Sequence, residues 1–397
     1  MASLIPFRAL RPLPEHVAEA ACPPYDVIST AEARDLAEGR DGSFLHVVRP
    51  EVALPLDTDE HDDAVYEAGA KALARFAESD AWTEDETAGL WVYRLIMDGR
   101  PQVGVFGCVT VDDYDADVIL KHEKTRVAKE DDRTRHILTQ RAHAEPVMLT
   151  CRDHADVTAV LEATMAGTPV YDFASRNTQH TFWRVQDVDR LVAAFGEIDR
   201  LYVADGHHRC KAASRAAAEL GGDGEQRYFP AVIFPMSNMN LMAYNRVVRG
   251  FEAGANAAWA TVVEHLEHVG DGPDPVEPGE VAVYDAAHGW RRYRLPITER
   301  NGVADRLDVA RLAEHVLEPV FGITDPRTDD RVAFVGGIRG TQTLADRVDS
   351  GEWQLAFSMY PTAITDLVDV SDAGELMPPK STWFEPKLIS GVLVHRF

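Results

Sequence analysis

Leu201-Tyr202-Val203-Ala204-Asp205-Gly206-His207-His208-Arg209 is the stretch whose reading decides the fold of this chain. Four apolar residues predict a buried strand, Asp205-Gly206 predicts a turn, and His207 opens a helix. Ala212, Ala213, Ala216, Ala217 and Leu220 fall on one face of that helix, and Gly221-Gly222 gives it a stop. The first turn of such a helix offers free backbone N–H groups and the positive end of the helix dipole, a ready-made anion site. Arg209 and the two histidines are expected to add cationic donors, so a phosphate is the first ligand to consider. Asp205 has two compatible readings, an N-cap for the helix and a carboxylate beside the bound phosphate. Cys210 reads as a small residue packed under the helix.

Composition narrows the function classes. At 397 residues the chain predicts two or three packed subdomains, and 45% hydrophobic with 26% charged residues is a globular balance. No apolar run approaches the roughly 20 residues needed to span a bilayer. The N-terminus shows no secretory pattern, and a cytoplasmic protein without membrane partners is expected. Cys22, Cys108, Cys151 and Cys210 are far apart, which argues against a zinc ribbon and a disulfide framework. Forty basic against 65 acidic residues leave a net charge of −25 and no basic block, which argues against a nucleic-acid partner. A small anion must then be held by a local cluster working against the global field.

Working outward, Pro23-Pro24 fixes an extended approach to Tyr25-Asp26, and Ser29-Thr30 caps a short helix over 31–38. Strands are predicted at 44–48, 118–120, 147–151, 181–185, 229–234 and 245–248, and a hairpin joins 90–97 to 102–111 across Asp98-Gly99-Arg100. Helices are predicted at 60–79, 129–142, 157–165 and 188–195. Beyond Phe251 the pattern gives a helix over 254–266, a Pro/Gly linker at 270–279, a hairpin over 280–296 and a periodic helix over 307–318. Short strands at 331–335, 354–359 and 391–395 alternate there with helices near 343–348 and 362–370. The fold class is α/β (α+β). Three regions are expected: an N-terminal segment over 1–84, a catalytic core over 85–250 and a C-terminal α/β domain over 251–397 that contributes a site loop.

Four clusters carry chemistry: Tyr25-Asp26, His122-Glu123 with Thr125, Asp205 to Arg209, and Lys380-Ser381-Thr382. Each sits at a predicted strand end or turn, where side chains can converge. Adjacent helical histidines point about 100° apart, so His207 and His208 read as phosphate donors and not as ligands of one metal ion. Arg126 stands where H-E-x-x-H would need its second histidine, leaving Glu123 as a candidate general base. Lys380-Ser381-Thr382 follows Met377-Pro378-Pro379 where a Walker motif would carry glycines.

Pro23-Pro24-Tyr25-Asp26, the Lys-His-Glu-x-Thr run at 121–125, Ala-Asp-Gly-His-His-Arg at 204–209 and Met-Pro-x-Lys-Ser-Thr at 377–382 together resemble a widespread bacterial and archaeal domain-of-unknown-function family. The Asp-Gly-His-His-Arg turn is also similar to the phosphate site of the ParB/sulfiredoxin superfamily, most closely to its free L-serine kinases. The resemblance implies a ParB/sulfiredoxin-like core that makes O-phospho-L-serine from L-serine with pyrophosphate or a nucleoside diphosphate, and Mg2+ carried on the donor. It implies Glu123 as base, Asp205 as a second essential carboxylate with His208 beside it, and Gly206, His207, His208 and Arg209 as the donor-phosphate cradle. A phosphate role for Lys380, Ser381 and Thr382 is our inference. Tyr25, Asp26, His122 and Thr125 are the expected acceptor-side contacts. The competing readings are a ParB-like nucleotide- or DNA-binding module and a non-catalytic phosphometabolite-binding protein. Asp205→Asn is expected to spare the fold, because an amide can still cap the helix.

Overall fold

The computed structural model describes residues 1–397 and divides into two compact units. The first comprises Met1–Met239 and Pro386–Phe397, the second Asn240–Glu385. This differs from the expected division at 84 and 250. No break falls near 84, because the N-terminal strand Ala9–Pro12 pairs with Trp82–Glu84 on one side and with Val394–Arg396 on the other. The last twelve residues therefore belong with the beginning of the chain.

An eight-stranded mixed sheet organises the first unit. From edge to edge it runs Ile119–Leu120, Leu201–Asp205, Val147–Cys151, Tyr228–Pro235, Arg100–Thr110, Trp91–Met97, Thr178–Arg184 and Tyr171–Ser175. Leu201–Asp205 is parallel to Ile119–Leu120 and antiparallel to Val147–Cys151, which is parallel to Tyr228–Pro235; the remaining pairs are antiparallel. Helices Ala155–Met165, Val188–Phe195 and His207–Glu219 bury Val157, Leu161, Leu191, Phe195, Cys210 and Ala213 in one apolar core with the sheet residues Val92, Val105, Leu149, Val203 and Ile233. Ala212 and Ala216 line the other side of the last helix, where their small side chains pack with Ile137 of the helix Val127–Gln140.

A four-stranded sheet, Trp82–Glu84, Ala9–Pro12, Val394–Arg396 and Ala142–His143, adds a second layer to this unit. Beneath it Phe44, Phe76 and Trp82 stack at 5.1 to 6.1 Å. Gly391 sits there at φ +82°, and a Cβ on it would meet the Cβ of Phe44 at 2.4 Å, so only glycine fits. Ser29 caps the helix Thr30–Ala37 in a reciprocal capping box with Glu32, as its sequence predicts. Residues 44–48 are a correction: Leu45–Val48 is one helical turn and not a strand. Phe44, Leu45, Val47 and Val48 are the buried residues, a spacing of i, i+1, i+3 and i+4 that fits a helix and not a two-residue alternation.

The second unit is built on a six-stranded antiparallel sheet, Glu267–Asp271, Gly289–Arg294, Glu280–Asp285, Leu355–Met359, Tyr244–Val248 and Val332–Gly336. Its first strand begins before, and overlaps, the expected Pro/Gly linker. The expected helix over 307–318 is α-helical only at Asp308–Leu312, widens to a π-turn at Ala313–Leu317 and resumes at Glu318–Phe321. Pro319 accounts for this, since its ring has no N–H and clashes with a carbonyl four residues back.

Candidate active site

The strand Leu201–Asp205 is irregular where it matters. Val203 pairs with Leu149 and Asp205 with Met148, so Ala204 is an extra residue. Such a bulge re-aims the side chain that follows it. Gly206 then adopts φ +100° and is itself the N-cap of the helix His207–Glu219. A Cβ here would meet Arg209 Nε and Val147 Cγ1 at 3.1 Å. Asp205 is therefore not the cap, and its carboxylate is used otherwise.

That carboxylate binds one cation on each oxygen. Lys387 Nζ lies 3.0 Å from Oδ1, and Arg209 donates to Oδ2 at 2.8 Å. Although burial opposes ionisation, Lys387 and Arg209 hold the Asp205 carboxyl well below the usual carboxylate range. Arg209 also donates to the Pro146 carbonyl, and the negative charges of Asp26, Asp205 and Glu145 outweigh the cost of its burial and raise its pKa. Its Nε and the Nε2 of His207 are buried without a protein partner.

The histidines do not add positive charge. Burial pushes His207 down to about 4 and His122 well below its ordinary value. The two rings meet edge to face at 4.4 Å, and His122 hydrogen-bonds to the Val203 backbone. Burial also lowers His208, whose Nε2 accepts the Arg126 backbone N–H at 3.1 Å. At neutral pH the cradle is thus two cations, Lys387 and Arg209, and neutral imidazoles. This corrects the expectation of cationic histidines.

A pH dependence follows. Because the folded pKa of His207 is about 4 and the unfolded value about 6.5, the unfolded chain takes up a proton that the native chain refuses. Stability is complete above pH 6.5 and is lost as the pH falls toward 4, by on the order of 3 kcal/mol for this ring. Thermal unfolding should show the melting temperature dropping across that window, and less steeply in His207→Asn. Identical slopes for the two proteins would refute it.

Glu123 faces the cradle. Its Oε2 lies 3.7 Å from His207 Nδ1, and 42% of its side chain is exposed. Asp26 is exposed, yet close enough to bear on Arg209, His208, Tyr25 and Glu145 electrostatically. The other expected acceptor-side residues are occupied. Tyr25 is buried, with Arg133 4.0 Å over its ring and its backbone N–H on Glu145 at 3.0 Å. Thr125 donates to Glu130, and His122 is buried behind His207. These three are held by protein partners or buried, whereas Asp26 is exposed. Two members were not anticipated from sequence. Lys387 closes on Asp205 across 182 positions, and Glu145 joins Tyr25 to the Ser390 hydroxyl, which donates to it at 3.2 Å.

Lys380, Ser381 and Thr382 belong to the second unit. Lys380 sits at φ +57° with its ammonium 5.6 Å over the Tyr244 ring. The Ser381 hydroxyl donates to the Pro378 carbonyl at 2.6 Å, and its own carbonyl accepts from Thr362 at 2.8 Å. Behind them the buried Arg246 donates to the Lys380 carbonyl at 3.1 Å, and burial pushes its pKa down to about 10.

A family model described as "Protein of unknown function (DUF1015)" matches residues 4–325. The chain belongs to that family. Comparison with curated proteins yields no match. Among solved structures, the C-terminally truncated SbnI of Staphylococcus aureus is 13% identical, with a TM-score of 0.40 over 72% of this chain and 87% of that one. A free serine kinase in complex with AMP is 13% identical, with a TM-score of 0.35 over 73% and 91%. A conserved hypothetical protein from Pyrococcus furiosus is 14% identical, with a TM-score of 0.35 over 74% and 95%.

Proposed function

We propose that this protein is a phosphotransferase that moves a phosphoryl group from pyrophosphate or a nucleoside diphosphate to the hydroxyl of free L-serine. The observation that carries the reading is the turn at Asp205 to Arg209. The buried Arg209, the part-buried Lys387, a helix N-terminus and the unpartnered nitrogens of His207 and Arg209 converge there, with the partly exposed carboxylate of Glu123 opposite. Phosphoryl transfer asks a protein mainly for positioning and charge neutralisation, plus a carboxylate to take the hydroxyl proton. Glu123 takes the proton from the serine hydroxyl, the oxygen bonds to the terminal phosphorus, and orthophosphate or a nucleoside monophosphate leaves. Magnesium would arrive with the donor in this reading and supply charge neutralisation on the phosphate oxygens, and Asp205 is the carboxylate that would hold it if one oxygen left its present partner. Lys380, Ser381 and Thr382 are assigned a supporting phosphate role.

Incubation with L-serine, magnesium and each donor, followed by phosphorus NMR, should reveal O-phosphoserine. Its absence with pyrophosphate, ADP and ATP alike would overturn the reading, and binding without turnover would identify a phosphometabolite-binding protein instead. Arg209→Ala is expected to raise the donor KM roughly 10- to 100-fold, the scale of one charged hydrogen bond, and to leave the serine KM within about twofold. Equal effects on both substrates would remove Arg209 from the donor side.

A further inference from the structure

The cradle has less positive charge to offer than its composition suggests. The imidazoles are neutral at pH 7, and Arg209 is held by the Asp205 carboxylate and the Pro146 carbonyl. Asp26, Glu123 and Glu145 surround the same turn. A donor carrying several negative charges must therefore draw on a cation that can change partners.

Lys387 is the better suited of the two to that exchange. Its ammonium is a point charge on a flexible four-carbon stem, whereas the planar guanidinium of Arg209 is fixed by its acceptors. The side chains of Lys387 and Asp205 are 17% and 25% exposed, against 8% for Arg209, so their ion pair is the more open of the two on this carboxylate. The backbone behind it is secured: Cys22 and Ser390 form a β-bridge, the Ser390 hydroxyl reaches Glu145, and Val394–Arg396 is a sheet strand. The stem is therefore anchored at its backbone while its ammonium pairs with a carboxylate that is itself 25% exposed.

We propose that Lys387 is a donor-phosphate ligand that exchanges partners, holding Asp205 Oδ1 in the ligand-free site and moving to the terminal phosphate oxygens when the donor binds. This rests on the donor-phosphate reading of the turn. The exchange keeps charges matched in both states. It also frees one oxygen of Asp205 only when a phosphate is present.

Calorimetric titration with pyrophosphate alone, on the full chain, tests the exchange without requiring turnover. Lys387→Met should weaken pyrophosphate binding at least tenfold, and Lys387→Arg should recover it to within about fivefold of the wild type. In steady state, Lys387→Met should raise the donor KM far more than the serine KM. Pyrophosphate affinity within twofold of wild type in a folded Lys387→Met protein would overturn the proposal. If that variant loses cooperative unfolding, Lys387→Gln, which keeps a neutral donor near Asp205, is held to the same thresholds. Wild-type protein that binds pyrophosphate but never phosphorylates serine would refute the serine kinase and leave Lys387 standing. If wild-type protein binds ADP and not pyrophosphate, the same thresholds apply to ADP; wild-type protein that binds neither would refute both.

Discussion

Asp205→Asn is expected to lower phosphoryl transfer by roughly 10²- to 10³-fold, as when one preorganised electrostatic group is removed from a transition state. It is also expected to destabilise the fold by about 3 kcal/mol, because neutralising the carboxylate leaves the buried Arg209 without its counter-charge. The stability loss departs from what the sequence predicts, since Gly206 and not Asp205 is the helix cap. Proton linkage offers an independent check. The Asp205 carboxyl lies well below its unfolded pKa of about 4, so its stabilisation is complete above that value and is lost as the pH falls below it. Chemical denaturation of the two proteins should therefore differ most between pH 5 and 8, and the gap should narrow progressively as the pH falls below 4. A variant as stable as wild type at pH 7 would mean that the carboxylate bridge contributes nothing.

Glu123→Gln should separate chemistry from folding. Its carboxylate is 42% exposed and meets His207 only at 3.7 Å, so the melting temperature should move by a degree or two at most. Loss of a general base costs about 10²- to 10⁴-fold in kcat. The KM values should stay within about threefold, because glutamine preserves shape and hydrogen bonding. A kcat within fivefold of wild type would transfer the base role elsewhere, with Asp26 the next candidate.

The strand, turn and helix at 201–219 were legible because their signals are local: an apolar run, Asp-Gly, and alanines at helical spacing. The capping box at Ser29 and the hairpin around Gly99 were legible for the same reason. The charge state of the site was not. Whether a histidine is charged depends on how deeply its neighbours bury it, and His207 owes its neutrality to packing that includes His122, 85 positions away. Lys387 lies five residues beyond the Met-Pro-x-Lys-Ser-Thr run at 377–382, and its pairing with Asp205 depends on the chain returning to the first unit after residues 240–385, for which no local pattern exists. The one-turn helix at Leu45–Val48 was misread because its residue types favour strands while its burial spacing is helical.

The return of Pro386–Phe397 to the first unit has a consequence for biosynthesis. Residues 240–385 leave the ribosome between the two parts of that unit, a delay of roughly 7 to 30 s at ordinary rates of synthesis. Throughout that interval the Ala9–Pro12 strand lacks Val394–Arg396, and Asp205 lacks Lys387. The nascent chain thus carries an unfinished sheet edge and an unfinished site until residues 386–397 emerge. On this topology the pairing of Lys387 with Asp205 is made only after residues 240–385 have been synthesised.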